Sequence, residues 1–193
     1  MAARRQTARR RDMEATSARA GILSSSALTM SFASLACAVI VGFSALVRIP
    51  VPGTPVPVTL QTFALLGCAG MLGRWYSMQM VGWYLVLGLA GAPFFTGGGG
   101  TEHLFGATGG YLLGFVAAAS IVGSFSSKCA GLWAKVALYL ASTLAVYVPG
   151  IVWLKLSLAS DWGTALSMGL LPFLLFDLVK ASAAASANHI FRR

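Results

Sequence analysis

Residues 28–47 read LTMSFASLACAVIVGFSALV, a run of twenty residues without a charged side chain. A transmembrane helix needs about 20 predominantly apolar residues to cross the hydrocarbon core of a bilayer. The apolar region of a signal peptide is shorter, so this run suits a membrane span better than a cleaved leader. It is therefore predicted to be the first transmembrane helix.

The whole chain has the same apolar character. Of its 193 residues, 57% are hydrophobic and 10% are charged, and the mean hydropathy is +0.77. A soluble domain carries about 25% charged residues, so this chain has too little polar surface for a water-exposed globule, even one with a very apolar core. The composition predicts an all-α membrane protein.

Five further apolar segments follow at roughly 58–73, 76–89, 109–124 and 136–154, with a last one that ends near Asn188. Together with the first they predict six transmembrane helices. The last segment has two interpretations, because Pro172 could be a first-turn proline or could kink a helix that begins near Gly163. Residues 48–57 (RIPVPGTPVP) hold four prolines in eight positions, which predicts an extended apolar loop that packs on the protein as a cover.

The basic residues predict the orientation. Six spans place both termini on one side, where eleven arginines and lysines would lie, against two (Arg48 and Lys155) on the other side. The positive-inside rule then makes both termini cytoplasmic. Residues 1–27 are expected to form a basic cytoplasmic segment and residues 28–190 the membrane domain. Because the other basic residues are scattered, the net charge of +9 indicates membrane topology and anionic lipid headgroups, and a nucleic-acid-binding tail is the disfavoured alternative.

The residue types needed for metal binding or catalysis are sparse. Cys37, Cys68 and Cys129 lack metal-ligand spacing, and the two histidines fall at opposite ends of the predicted topology. The glycine tract 97–100 has no Gly-Lys-Ser/Thr after it, so the chain has no Walker lysine for ATP. No metal, no cofactor and no enzymatic activity are expected.

Asp177 and Lys180 give the strongest functional signal. Residues three apart share one helical face, and each charge alone would cost a few kcal/mol at mid-membrane. The pair is therefore expected to face the protein interior and to bind a polar ligand. A purely structural ion pair is the alternative.

The other candidate residues lie where the second, fourth and sixth helices begin at the outer face. Helix amino-terminal ends present free N–H groups there, and glycines allow a backbone to approach a ligand closely. Close packing between helices is an equally good explanation for the glycines. The predicted substrate-binding residues are Asp177, Lys180, Tyr111, Gly109, Gly110, Thr108, Gln61 and Thr59.

Small residues recur every four positions in the first helix, at Ser34, Ala38 and Gly42. Such a stripe lets two helices approach closely, so these residues are candidates for contact with a coupling subunit. Residues 181–187 (ASAAASA) form a second small-residue run. Internal packing within the chain is the alternative for both.

Four segments, in this order, resemble the BioY family, the biotin-specific S-components of energy-coupling factor (ECF) transporters. They are residues 55–62 (PVPVTLQT), 91–95 (GAPFF), 108–115 (TGGYLLGF) and 171–180 (LPFLLFDLVK). Two positions depart from the family pattern: the family usually has proline at position 107, here Ala107, and glycine at position 176, here Phe176. A bulky Phe176 is expected to reshape the pocket.

The resemblance implies a six-helix protein of the bacterial cytoplasmic membrane that captures biotin from outside. It also implies a membrane coupling subunit and two cytoplasmic ATPase subunits as partners. By the chemistry of biotin, Asp177 would accept the ureido N–H groups, and Lys180 would meet the ureido carbonyl or the carboxylate tail. The alternatives are an S-component for another vitamin, a solitary biotin transporter without coupling subunits, and a purely structural subunit.

Overall fold

A computed structural model describes residues 26–192. The predicted basic segment 1–27 therefore falls almost wholly outside the described residues. The described part consists of helices and one very short two-stranded sheet. In chain order the elements are α1 (Ser26–Ser44), β1 (Arg48–Ile49), β2 (Val58–Thr59), α2 (Gln61–Leu72), α3 (Arg74–Leu89), α4 (Thr101–Leu104), α5 (Gly109–Phe125), a 3-10 turn (Ser126–Lys128), α6 (Leu132–Ser157), α7 (Trp162–Gly169) and α8 (Leu174–Phe191).

The outer surface of the bundle is apolar. Phe32, Phe43, Leu113, Val148 and Leu175 are each more than half exposed. In water such a surface would be an aggregation hazard, whereas in a bilayer it faces lipid. This surface and the long apolar helices agree with the prediction of an all-α membrane protein.

Only some of the helices are long enough to span a bilayer unaided. By length and hydropathy, three of the described helical segments qualify: Ser26–Ser44, Gly109–Lys128 and Leu132–Ser157. A fourth qualifies if α7 and α8, which are bent by 47° at their junction, count as one span. Helices α2 and α3 have 12 and 16 residues, short of the usual 20. The count of six spans and the cytoplasmic termini stay predictions.

The junction at Pro172 gives α8 its own amino-terminal end. The residue before a proline is disfavoured in helical conformation, and α7 ends at Gly169, three residues before Pro172. Helix α8 then begins at Leu174, so Asp177 lies in its first turn. Pro172 is thus not a first-turn proline. It lies at the bend between two helices, as the kink interpretation expected.

The proline-rich segment forms the loop of a hairpin. Its two ends pair as antiparallel strands, with Arg48 opposite Thr59 and Ile49 opposite Val58. Gly53 turns the loop at φ +81°, a backbone conformation that glycine adopts without steric cost. The segment is non-helical, as predicted, but the sequence analysis missed the strands.

The core lies between α5 and its neighbours α2, α3 and α6, and α8 packs against α2 and α6. Tyr84, Leu65, Met80, Val122 and Tyr139 are among its fully buried side chains. A smaller cluster of apolar residues joins the hairpin to α6, α7 and the start of α8. This second cluster holds the hairpin against the ends of the helices, and the candidate site lies beside it.

Candidate functional site

Asp177 and Lys180 form a buried ion pair. Lys180 Nζ contacts Asp177 Oδ1, and the two side chains are only 12% and 9% exposed, respectively. Because the residues are three apart on α8, they lie on one face of the helix. Asp177 also lies in the first turn, where the helix dipole favours a negative charge.

Further donors surround the pair. The Tyr147 hydroxyl of α6 donates to Asp177 Oδ2, and Thr62 Oγ1 of α2 donates to Oδ1 at 3.2 Å. Lys180 Nζ donates to the backbone oxygen of Thr59 at 3.0 Å. Groups from α2, α6 and α8 therefore meet at the Asp177 carboxylate, and β2 supplies an acceptor to the Lys180 ammonium, which compensates for the removal of both charges from water.

Gln61 is the centre of a second network at the start of α2. Its Nε2 donates to Tyr84 Oη at 2.8 Å and to the Phe94 backbone oxygen at 3.2 Å. Its Oε1 accepts from Thr59 Oγ1 at 3.1 Å and from Thr96 Oγ1 at 3.4 Å. The amide is 3% exposed, and both of its ends already have partners within the protein. In this geometry Gln61 positions Thr59 and Thr96.

These groups line a cavity with about 520 Å³ of empty space, part of which is open to solvent. One side of it is polar, with Asp177, Lys180 and the hydroxyls of four threonines and two tyrosines nearby. The lining also includes apolar residues, and the end of the proline-rich loop contributes Val56 and Pro57 to it. The lining residues are Val56, Pro57, Val58, Thr59, Gln61, Thr62, Thr96, Thr108, Tyr111, Leu112, Phe115, Val146, Tyr147, Phe173, Asp177 and Lys180.

Six of the eight predicted substrate-binding residues line this cavity: Asp177, Lys180, Tyr111, Thr108, Gln61 and Thr59. Tyr111 contributes its ring, because its hydroxyl donates to the Gly169 backbone oxygen at 2.8 Å. That ring also packs on Gly150, where any Cβ would collide with it. Tyr111 thereby joins α5 to α6 and α7 while it forms a wall of the cavity.

Gly109 and Gly110 do not line the cavity. A Cβ at Gly109 would strike the Leu104 backbone oxygen, and one at Gly110 would strike the backbone of Pro149 in α6. This packing favours the alternative interpretation, and a contact between these glycines and a ligand stays a prediction. Because glycine has no Cβ, α5 can approach its neighbours closely at these positions, which was the alternative interpretation.

The small-residue stripe on α1 faces inward. Ser34 and Ala38 are fully buried, and the Phe94 ring lies directly against Gly42. These three residues thus pack within the chain, which favours the alternative of internal packing, and a coupling interface at the stripe stays a prediction. The same holds for the second run, where Ala181, Ala184 and Ala185 are fully buried.

The two departures from the family pattern lie outside the cavity. Phe176 is 43% exposed on the outer face of α8, and Ala107 packs against the cluster under the hairpin. Since neither lines the cavity, the expectation that Phe176 reshapes the pocket is wrong. An i, i+1 neighbour of Asp177 points about 100° away around the helix.

Tyr147, Thr62 and Thr96 also line the cavity, although the sequence did not predict them. Each belongs to a different element, and Tyr147 is 30 residues from Asp177 in the chain. Thr62 directly follows the predicted Gln61, so the motif around it was a usable signal. Nothing in the sequence singled out Tyr147 from the other tyrosines.

No cluster of three or more potential metal ligands occurs among residues 26–192. Two ion pairs are present in that range, Asp177–Lys180 and the peripheral Glu102–His103. The side chains brought together in the cavity are hydrogen-bonding and apolar groups. Such an arrangement can recognise a small amphipathic molecule with both donors and acceptors.

Comparison with known proteins gives a consistent result. The model of the BioY family matches residues 14–193. The biotin transporter BioY of Thermotoga maritima is 39% identical over 142 residues, which cover 71% of this chain and 81% of that protein. The biotin transporter BioY2 of Lactococcus lactis is 37% identical over 129 residues, with 65% and 70% covered.

A solved structure agrees with these relatives. The crystal structure of the S-component for biotin from an ECF-type ABC transporter superposes with a TM-score of 0.78 and 26% identity, covering 87% of this chain and 93% of that one. The similarity thus extends over most of the chain. With the family model matching nearly the whole sequence, the chain belongs to the BioY family.

Proposed function

We propose that this protein is the substrate-binding S-component of an ECF transporter, which captures biotin from the outside and takes it across the bacterial cytoplasmic membrane. The observation that carries the proposal is the buried Asp177–Lys180 pair on the wall of a mostly apolar cavity. Intramembrane ionisable residues usually mark a substrate site. The matching proteins named above are biotin transporters.

The cavity offers complementary groups to each part of biotin. The ureido ring has two N–H donors and one carbonyl acceptor, and the Asp177 carboxylate would accept the N–H groups. The Lys180 ammonium, or the hydroxyls of Thr62 and Tyr147, would donate to the carbonyl. The apolar thioether ring would pack against the rings of Phe115 and Phe173, both of which line the cavity.

The proline-rich loop supports tight binding. Val56, Pro57 and Val58 line the cavity, and the two valines belong to the apolar cluster that includes residues of α6 and α7. Nanomolar affinity corresponds to about −12 kcal/mol, and burial of most of a small ligand's apolar surface in a pocket contributes to such energies. Proline also restricts the loop before binding, which lowers the entropic cost of ordering it.

Uptake driven by ATP would need partner subunits. The sequence has no Gly-Lys-Ser/Thr motif, so a membrane coupling subunit and two ATPase subunits would supply the energy. Solitary transport of biotin is the competing arrangement.

Equilibrium binding to the purified full-length protein tests the ligand. We expect biotin to bind with a Kd well below about 1 µM and thiamine and riboflavin not to compete. Biotin binding weaker than that, or displacement by another vitamin, would contradict the proposal. Uptake of labelled biotin in cells with and without coupling subunits separates the S-component from the solitary transporter.

A further inference from the structure

A second cavity lies at the opposite end of the bundle. It is lined by Ser127, Cys129, Ala130, Lys135, His189 and Arg192 and has about 650 Å³ of space between atoms. Lys135 precedes the cavity residue Tyr147 by twelve positions on α6, which is about 18 Å along a helix. His189 follows Asp177 by the same interval on α8. The second cavity is therefore separate from the candidate biotin site.

Lys135 lines this cavity as a buried cation without a counter-charge. It is 3% exposed, and its Nζ donates to Asn188 Oδ1 at 3.3 Å. That oxygen also accepts from Ser126 Oγ at 3.0 Å. An ammonium has three donors, and a neutral amide oxygen shared with a serine does not balance its charge. Burial of an unpaired charge is costly.

The surroundings add positive potential instead of neutralising it. Arg192 is close enough to repel Lys135 electrostatically, and its own hydrogen bond goes to the neutral Met71 backbone oxygen at 3.1 Å. Helix α6 begins beside the cavity at Leu132, and its N-cap Gly131 provides no side-chain cap, so the positive end of the helix dipole points there.

Acceptors are also scarce at this end of the bundle. Within residues 26–192, the acidic side chains are Glu102, Asp161 and Asp177, and all three belong to the end that holds the biotin cavity. The buried Asn188 Nδ2, next to Lys135, has no hydrogen-bond partner in the described part of the chain. The cluster therefore has more donors than acceptors and calls for an anion with several oxygens.

Exposed apolar side chains are close in the chain to the lining residues: Trp133 is two positions before Lys135, and Ile190 and Phe191 lie between His189 and Arg192. Trp133, Ile190 and Phe191 are 82%, 69% and 77% exposed. Tryptophan at a helix end is typical of the membrane–water boundary, so the cations lie at headgroup depth beside side chains suited to acyl chains. We propose that this cavity binds the phosphate of an anionic phospholipid, with Lys135 as its buried contact and Arg192 and His189 at the rim.

Lipid retention tests this assignment. The full-length protein in neutral detergent is mixed with phosphatidylglycerol or with phosphatidylcholine of the same acyl chains, and bound lipid is counted by native mass spectrometry. We expect one phosphatidylglycerol to resist a delipidation that removes phosphatidylcholine. Lys135→Met should weaken its apparent affinity at least tenfold, and Lys135→Arg should restore it. Lys155→Met, at the other end of α6, is the matched control and should retain the lipid.

Two further measurements keep the outcome decisive. Biotin binding should be unchanged in Lys135→Met, which would show that the variant is folded. If Lys135→Met does not fold, Arg192→Gln should show a smaller loss of phosphatidylglycerol affinity. Equal retention of phosphatidylglycerol by wild type and both variants would overturn the site. Displacement of the lipid by millimolar inorganic phosphate would overturn the lipid assignment in favour of a free phosphate.

Discussion

Replacement of Lys180 by methionine should expose how strongly the Asp177–Lys180 pair depends on its two charges. The side chains are about nine-tenths buried, and removal of one partner from a buried pair costs about 3–5 kcal/mol, because the other charge stays desolvated. In Lys180→Met the Asp177 carboxylate would keep only the hydroxyl donors from Tyr147 and Thr62. For a chain of this size such a loss lowers the thermal midpoint by about 6–20 °C.

The double variant Asp177→Asn/Lys180→Met separates stability from binding. It removes both charges, while the asparagine oxygen can still accept from the two hydroxyls. We therefore expect it to recover stability to within about 1 kcal/mol of wild type but to bind biotin no better than the single variant. Thermal unfolding in detergent and biotin binding are measured on all three proteins. A Lys180→Met protein as stable as wild type, or a double variant no more stable than the single one, would refute the reasoning.

Three further outcomes are expected. Tyr147→Phe should weaken biotin binding by about tenfold or more, because a hydrogen bond to a charged group contributes about 1.5–3 kcal/mol; unchanged affinity in a binding titration would show that Tyr147 does not position Asp177. Ala38→Leu should lower the thermal midpoint, because this position is fully buried. Phe32→Ala, on the exposed face of the same helix, should leave the midpoint unchanged. Equal midpoints for the two variants would contradict the inward orientation of the stripe. Asp161 accepts hydrogen bonds from the Thr164 hydroxyl and backbone N–H, which hold the pKa of Asp161 below its ordinary value. The stability that this cap contributes is present above about pH 4 and is lost as the pH falls through the depressed pKa. The difference in stability between wild type and Asp161→Ala should therefore shrink on acidification, and a difference independent of pH would argue against the cap.

The ion pair could be predicted from the sequence because its cost is local. Two charges three residues apart in an apolar segment must face each other and the interior, and the structure shows that arrangement. The composition likewise predicted the membrane fold, since no soluble globule could be covered by so few polar residues. Both inferences depend on the free-energy cost of placing charges in lipid or apolar surface in water, and this cost does not depend on which helices pack together.

The remaining features depend on contacts that a pattern does not encode. The stripe containing Ser34 and Ala38 indicates close helix packing, but the pattern is the same whether the partner helix belongs to this chain or to another. Gly109 and Gly110 could equally approach a ligand or a helix, and only the tertiary structure shows that Leu104 packs against the first and Pro149 against the second. Tyr147 reaches Asp177 only because α6 packs beside α8, which is a tertiary fact.

The affinity of Asp177→Asn for biotin is the most direct test of the central claim. Isothermal titration of the purified full-length protein would compare wild type, Asp177→Asn and Asp161→Asn, an exposed aspartate replaced by another good N-cap residue. We expect wild type and Asp161→Asn to bind equally tightly, and Asp177→Asn to bind at least about 100-fold more weakly, which corresponds to about 2.7 kcal/mol. Equal biotin affinity in all three proteins would show that the buried carboxylate is not where the vitamin binds.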